Sequence, residues 1–290
     1  MTDAALSFER PSVSPTQASL QRLLRSRSFM VGATLVILMA LVALFADALA
    51  PFDPLRSNAR MRLTAPNETY WFGTDHFGRD ILSRVMVGAR ISLAIGAMTV
   101  VLTGLVGTVV GAVAGFFPRL DNPIMRLMDA LMAFPSIVLA MVVSAVLGAS
   151  LTNVVIALSI ATMPHTARIV RASVLVGREL DYVDAARSVG VTEMTILFRH
   201  VLINATGPLI VRLTYVFAIA ILAEAALSFV GAGPPPPTPS FGAIIAQGRD
   251  FMREAPWITI FPGLAIVICV LGLNLLGDGL RDAFDPRSKL

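Results

Sequence analysis

The sequence predicts an all-α membrane protein with about six membrane-spanning helices, and three observations carry that prediction. Of 290 residues, 56% are hydrophobic and only 14% are charged. The mean hydropathy of +0.75 lies far above the range of soluble domains. The apolar residues also collect into runs long enough to cross a bilayer. Aromatics make up 7%, so Ala, Val, Leu and Ile supply the apolar mass, with Gly and Pro scattered through it as in transmembrane helices. The net charge of +4 is small and arginine-dominated. No basic face with an aromatic platform accompanies it, so it reads as membrane topology and excludes a nucleic-acid partner. The lone cysteine, Cys269 in "LAIVICVLGL", has no intramolecular disulfide partner and reads as packing.

Six stretches reach the roughly twenty largely apolar residues that a span requires. They are Phe29 to Ala50, Ile91 to Gly115, Pro123 to Leu147, Leu151 to Val170, Leu209 to Val230 and Trp257 to Gly279. The first follows Arg22, Arg25 and Arg27 and ends in "ADALA", which resembles a signal-peptide cleavage site. Its apolar run exceeds a usual signal core, and five spans follow, so it reads as a signal anchor. Pro164, His165 and Arg168 interrupt the fourth span, which is tolerated only beside neighbouring protein or a wet cavity. With a cytoplasmic amino terminus, thirteen Arg and Lys residues fall inside, among them Arg126, Arg171, Arg178, Arg187, Arg199 and Arg281. Arg56, Arg60, Arg62, Arg79 and Arg84 fall in one outer loop, so the positive-inside signal is moderate.

Between the fourth and fifth spans lies "RELDYVDAARSVGVTEMTILFRHVLIN", charged in nearly every turn. Leu180 to Val189 reads as a short helix with Tyr182, Ala185, Ala186 and Val189 at helical spacing. Gly190 closes it with a left-handed backbone, and Thr192 with Glu193 caps a second helix through "MTILFRHVL". The product is a helix–turn–helix elbow. Two roles fit the spacing: docking into the groove of a soluble partner, or an amphipathic linker on lipid headgroups.

The elbow resembles the EAA loop of ABC importer permeases: Glu-Ala-Ala, three residues, then Gly. The matching positions are Asp184, Ala185, Ala186 and Gly190, with Asp184 in place of Glu and Ile203 where Pro is common. Loss of that proline implies a second helix that runs further. "FGTDHFGRDILSRVMVGARISL", "RLMDALMAFPSIVLA", "AEAALSFVGAG" and "NLLGDGLRDAFDPR" resemble, in order, the C-type permease of the dipeptide, oligopeptide and nickel branch. The resemblance implies the type I importer fold typified by the methionine permease, with a homologous permease as heterodimer partner. It also implies two cytoplasmic ATPase subunits using ATP and Mg, an external substrate-binding protein, and a bacterial inner-membrane location. The substrate it implies is a di- or oligopeptide, with nickel or another small solute as the alternative. The coupling residues it implies are Tyr182, Asp184, Ala185, Ala186, Arg187, Gly190 and His200. The chain then divides into a cytoplasmic, partly disordered segment 1–28, a first helix 29–50 and an external loop 51–90. A core domain 91–280 follows, holding the coupling loop 171–206 and an external loop 231–256, and a cytoplasmic tail 281–290 ends the chain.

Other chemistry is scarce. The only lysine is Lys289, so no P-loop exists here and ATP hydrolysis falls to partner subunits. His76, His165 and His200 are dispersed and form no zinc or Ser/His/Asp pattern, so no cofactor, metal or catalytic residue is assigned. Asp75, His76 and Asp80 read as turn and capping residues rather than metal ligands. Gly107, Gly111 and Gly115 recur every four residues and let another helix approach closely. Glu224 inside the fifth span is either a pathway carboxylate or a helix fastener. Asp129 and Arg126, one turn apart, are expected to pair, and Pro135 to kink the third span at a candidate gate. "GAGPPPPTPSFG" is expected to form a polyproline II rod. An ion-coupled secondary transporter would rest on Glu224 alone, and a membrane hydrolase would need a nucleophile and base that do not stand out.

Overall fold

The computed structural model describes residues 23–284. The expected disorder of the amino terminus and most of the carboxy-terminal tail lie outside them. Among the described residues the chain is helical apart from loops, with one isolated bridge between Thr74 and Asp80.

Helix α1 (Arg27–Leu44) starts at Ser26, whose hydroxyl accepts from the Phe29 amide at 3.3 Å. A four-residue turn of helix, α2 (Ala46–Leu49), completes the first span. Helix α3 (Ile81–Phe116) is 36 residues long and begins ten residues before the expected span. The sequence hid that start, because the capping residue Asp80, whose carboxylate accepts from the Ser83 amide at 2.8 Å, sits in a charged stretch. The third span is broken rather than kinked. Amphipathic α4 (Pro118–Met132) and apolar α5 (Ser136–Leu147) meet at 91°, with Pro135 the capping residue of α5. Helix α6 (Leu151–Arg178) runs unbroken through Pro164 for 28 residues, about 42 Å at 1.5 Å per residue. It therefore extends into the segment expected to be loop. Helix α7 (Asp181–Ser188) is the elbow helix. The return path to α8 (Thr206–Phe229) is not one regular helix: a π turn over Ile196–Val201 gives way to a 3₁₀ turn over Leu202–Ala205. The missing proline thus lets the backbone stay helical, but with altered pitch. The expected outer loop carries α9 (Phe241–Gly248), and α10 (Trp257–Phe284) ends the bundle. Pro236 and Pro237 form a turn, so the proline-rich stretch is not a continuous rod.

Among the described residues five helices are long and apolar enough to cross a membrane, or six when the α4–α5 pair is counted as one crossing. Close approach through small residues holds them. A Cβ on Gly32 of α1 would come within 2.4 Å of the Leu276 backbone nitrogen on α10. The expected glycine stripe packs within this chain, against α6: a Cβ on Gly111 would meet the Ala167 carbonyl at 2.3 Å, and one on Gly115 the Arg171 carbonyl at 2.9 Å. Gly107 faces Thr166 in the same seam. With little hydrophobic drive between helices in lipid, such contacts supply the packing.

The α3–α6 seam joins two ends of different character. At one end residues 50–80, α9 and the start of α10 form a cap. There Asp75 accepts from the Phe77 and Arg79 amides at 2.8 and 2.9 Å, from Arg79 Nε at 2.6 Å, and from Arg84. The Trp257 indole donates to the Thr74 carbonyl at 3.0 Å. At the other end lies the elbow.

Candidate functional site

The elbow is built from a helix that stops on cue. The Gly190 amide donates to the Arg187 carbonyl at 3.0 Å and the Val191 amide to the Ala186 carbonyl at 3.1 Å, the paired bonds of a Schellman closure. Gly190 has φ 82°, a conformation open to glycine without strain. Thr192 follows, but its hydroxyl bonds the Thr195 hydroxyl at 2.8 Å rather than capping a backbone amide.

One face of α7 is anchored and the other is free. Val183 is fully buried against Val174, Ile196, Leu197 and Val201, with Ala186 half-buried beside it. Tyr182, Ala185 and Val189 point outward, Val189 being 79% exposed. Of the apolar spacing noted in the sequence, Tyr182, Ala185 and Val189 therefore mark the outer face while Ala186 turns inward, and Val183, outside that spacing, is the anchor. A lone valine amid Asp181, Tyr182 and Asp184 carries too weak a periodic signal to be singled out.

Polar contacts fix the elbow's angle. The Tyr182 hydroxyl donates to the His200 carbonyl at 3.1 Å and accepts from Asn204 Nδ2 at 2.7 Å. His200 thus contributes its backbone. Arg187 donates to Asp184 and to Glu193, each at 3.1 Å, bridging the two arms. Bonding to Glu193, then to Asp184, holds its guanidinium pKa above the ordinary value. Below the elbow, Arg171 of α6 grips Asp121 of α4 with a second bond at 2.6 Å.

Asp129 does not pair with Arg126. It pairs with Arg168 of α6, because α4 lies against α6 and brings that guanidinium across the interface. Glu224 is fully buried and accepts from Ser228 at 2.7 Å, Ser240 at 2.7 Å and Ser92 at 3.2 Å. Those serines belong to α8, to the start of α9 and to α3, and Ser92 and Ser240 also accept from the Phe241 and Ala243 amides at 3.1 Å. The carboxylate is a fastener of three helices. The sequence offered a cue in Ser240, three residues before Ala243, but the adjacent prolines masked the helix. Asp75 and Asp80 are occupied in the turn and cap described above. The His76 ring stacks on Phe251 with centroids 5.1 Å apart.

A bundle of apolar helices with a packed cap at one end and an exposed helical elbow at the other defines a polytopic membrane protein of the permease kind. The family described as binding-protein-dependent transport system inner membrane component matches residues 107–290, and this chain belongs to it. The N-terminal TM domain of oligopeptide transport permease C matches residues 14–66. A peptide transport system permease protein of Brucella abortus is 50% identical over 100% of this chain and 99% of its own length. The dipeptide transport system permease protein DppC of Alkalihalophilus pseudofirmus is 41% identical over 96% and 92%. The di/tripeptide transport system permease protein DppC of Pseudomonas aeruginosa is 42% identical over 95% and 93%. Among solved structures, the MetNI methionine ABC transporter in an inward-facing form aligns with TM-score 0.58 and 20% identity, covering 71% of this chain and 98% of the other. The chain is thus a membrane permease component of an ABC importer, with the fold its motifs implied.

Proposed function

We propose that this subunit forms half of a translocation pathway for di- or oligopeptides. It pairs with a homologous permease, receives solute from an external binding protein, and is driven by two cytoplasmic ATPases that dock on the elbow. The observation that carries this is the two-sided α7: Val183 fixes it to the bundle, while Tyr182, Ala185 and Val189 are left outward beside charges that set register. Peptide as substrate is supported by the names of the relatives above. ATP hydrolysis falls to the partner subunits, because the only lysine is Lys289 and a phosphate loop needs one within a glycine-rich turn.

The elbow and both termini lie in the cytosol. Arg178, Arg187, Arg199 and Arg281 favour that side. Against this, Arg56, Arg60, Arg62 and Arg79 lie in the external loop, so the signal is moderate. Nucleotide closes the partner ATPases, α7 follows its groove, and α6 and α8 carry the motion into the bilayer. ATP shifts this equilibrium only by binding one arrangement better than the other.

Gly190→Ile tests the coupling role. A Cβ at Gly190 meets nothing within 4 Å, so the substitution is expected to act chiefly through the positive φ, at about 1–2 kcal/mol. The expected result is normal insertion with weakened ATPase attachment or hydrolysis uncoupled from uptake. Normal attachment with normal transport overturns the proposal.

A further inference from the structure

Arg212 sits on α8, seven residues into a membrane-spanning helix, roughly 9 Å along its axis at 1.5 Å per residue. Among the described residues it has no hydrogen-bond or ion-pair partner, and its Nε is buried without an acceptor. Helix α8 packs against α6, which carries His165 and Arg168. His165 and Arg168 are one helical turn apart, and both are exposed in the single subunit.

Among the described residues no acid is paired with Arg212. Asp129 and Asp121 pair with Arg168 and Arg171, Asp278 and Glu224 accept from Tyr215 and from three serines, and Asp282 of α10 is exposed. That leaves Arg212 as an uncompensated cation at membrane depth. Such a charge is costly against lipid and is tolerated facing a wet cavity, where it marks a solute path. Guanidinium presents a fork of N–H donors that matches a carboxylate bidentately.

We propose that Arg212 is a carboxylate-binding station on the translocation path that contacts the carboxy terminus of a peptide in transit. This rests on the assignment of the chain as a peptide permease. The same oxyanion chemistry is available from an acidic side chain of the paired permease or from a lipid phosphate, and the test separates the sources.

The complete importer, with partner permease, ATPases and binding protein, is reconstituted in liposomes of neutral lipid. Uptake per ATP hydrolysed is compared for a dipeptide and its carboxy-terminal amide. Arg212→Gln is expected to lower uptake of the acid about tenfold, the scale of a lost charge-assisted bond, to leave the amide unchanged, and to be partly restored by Arg212→Lys. Equal loss for both peptides, accompanied by loss of the permease pair, assigns Arg212 to a partner carboxylate and overturns the proposal. An effect that appears only in anionic liposomes, equally for both peptides, assigns it to lipid and also overturns it. Uptake of the acid by Arg212→Gln at the wild-type level overturns it outright. Should the binding protein refuse the amide, equilibrium dialysis against the detergent-purified complex without binding protein decides. The wild type is expected to retain the acid about tenfold better than the amide, and equal retention overturns the station. A wild type that moves no peptide sinks the peptide assignment instead.

Discussion

The Tyr182 hydroxyl bridges the two arms of the elbow, donating to the His200 carbonyl and accepting from Asn204. Tyr182→Phe removes both bonds and leaves the ring. Because the site is exposed, the stability cost is about 1 kcal/mol, and on the docking role proposed for α7 the larger effect is on the angle at which it meets the ATPase. More ATP hydrolysed per solute imported, with unchanged assembly, is the expected outcome. It is measured by paired ATPase and uptake assays.

The α3–α6 seam has no room to expand. Gly111→Ala places a Cβ against the Ala167 carbonyl, where backbone must shift, at about 1–3 kcal/mol. Gly263→Ala on α10 meets nothing within 4 Å and removes a flexible residue from a helix, so it is neutral or stabilising by up to about 1 kcal/mol. Thermal melting of the purified complex in detergent should show a lower midpoint for Gly111→Ala and an equal or higher one for Gly263→Ala.

How much of this was legible beforehand follows from signal length. Long apolar runs revealed the crossings, and Gly190 revealed the turn of the elbow, because each is a local requirement written in one kind of residue. The break at Pro135 was visible as a bend but not as a right angle, since the direction of α4 is decided by Arg171 and Arg168 reaching from α6 to Asp121 and Asp129. Those are pairings across 39 and 50 residues that no local rule exposes. The local rule instead favoured Arg126. The anchoring of α7 by Val183 and the serine cradle of Glu224 were hidden for the same reason.

That cradle sets a further expectation. Glu224→Gln keeps an acceptor for the three serine hydroxyls and should preserve assembly and most transport. Glu224→Ala leaves Ser92, Ser228 and Ser240 without their shared acceptor and should destabilise the complex by at least about 2 kcal/mol. Loss of transport in Glu224→Gln with full stability would return the residue to the pathway.

The cap carries a pH dependence. Burial, opposed by Asp75 and reinforced by Arg79, Arg84 and Arg62, holds His76 below its ordinary value of 6.5. A base depressed in the folded state contributes full stability above its unfolded pKa and loses it as pH falls through the folded one. The melting temperature should therefore drop on acidification below 6.5, and His76→Phe, which keeps the stack on Phe251, should flatten that part of the profile. An unchanged profile would remove His76 from the account.

The most direct test concerns which side of the membrane the elbow occupies. Ser188 is exposed on α7, and the native Cys269 is buried, so Ser188→Cys offers an accessible thiol against a quiet background. An impermeant maleimide should label it in inside-out vesicles stripped of ATPase subunits, fail to label it in intact cells, and be blocked when the ATPases are restored. Labelling in intact cells would place the elbow on the outer face, out of reach of any cytoplasmic motor, and would contradict the account at its root.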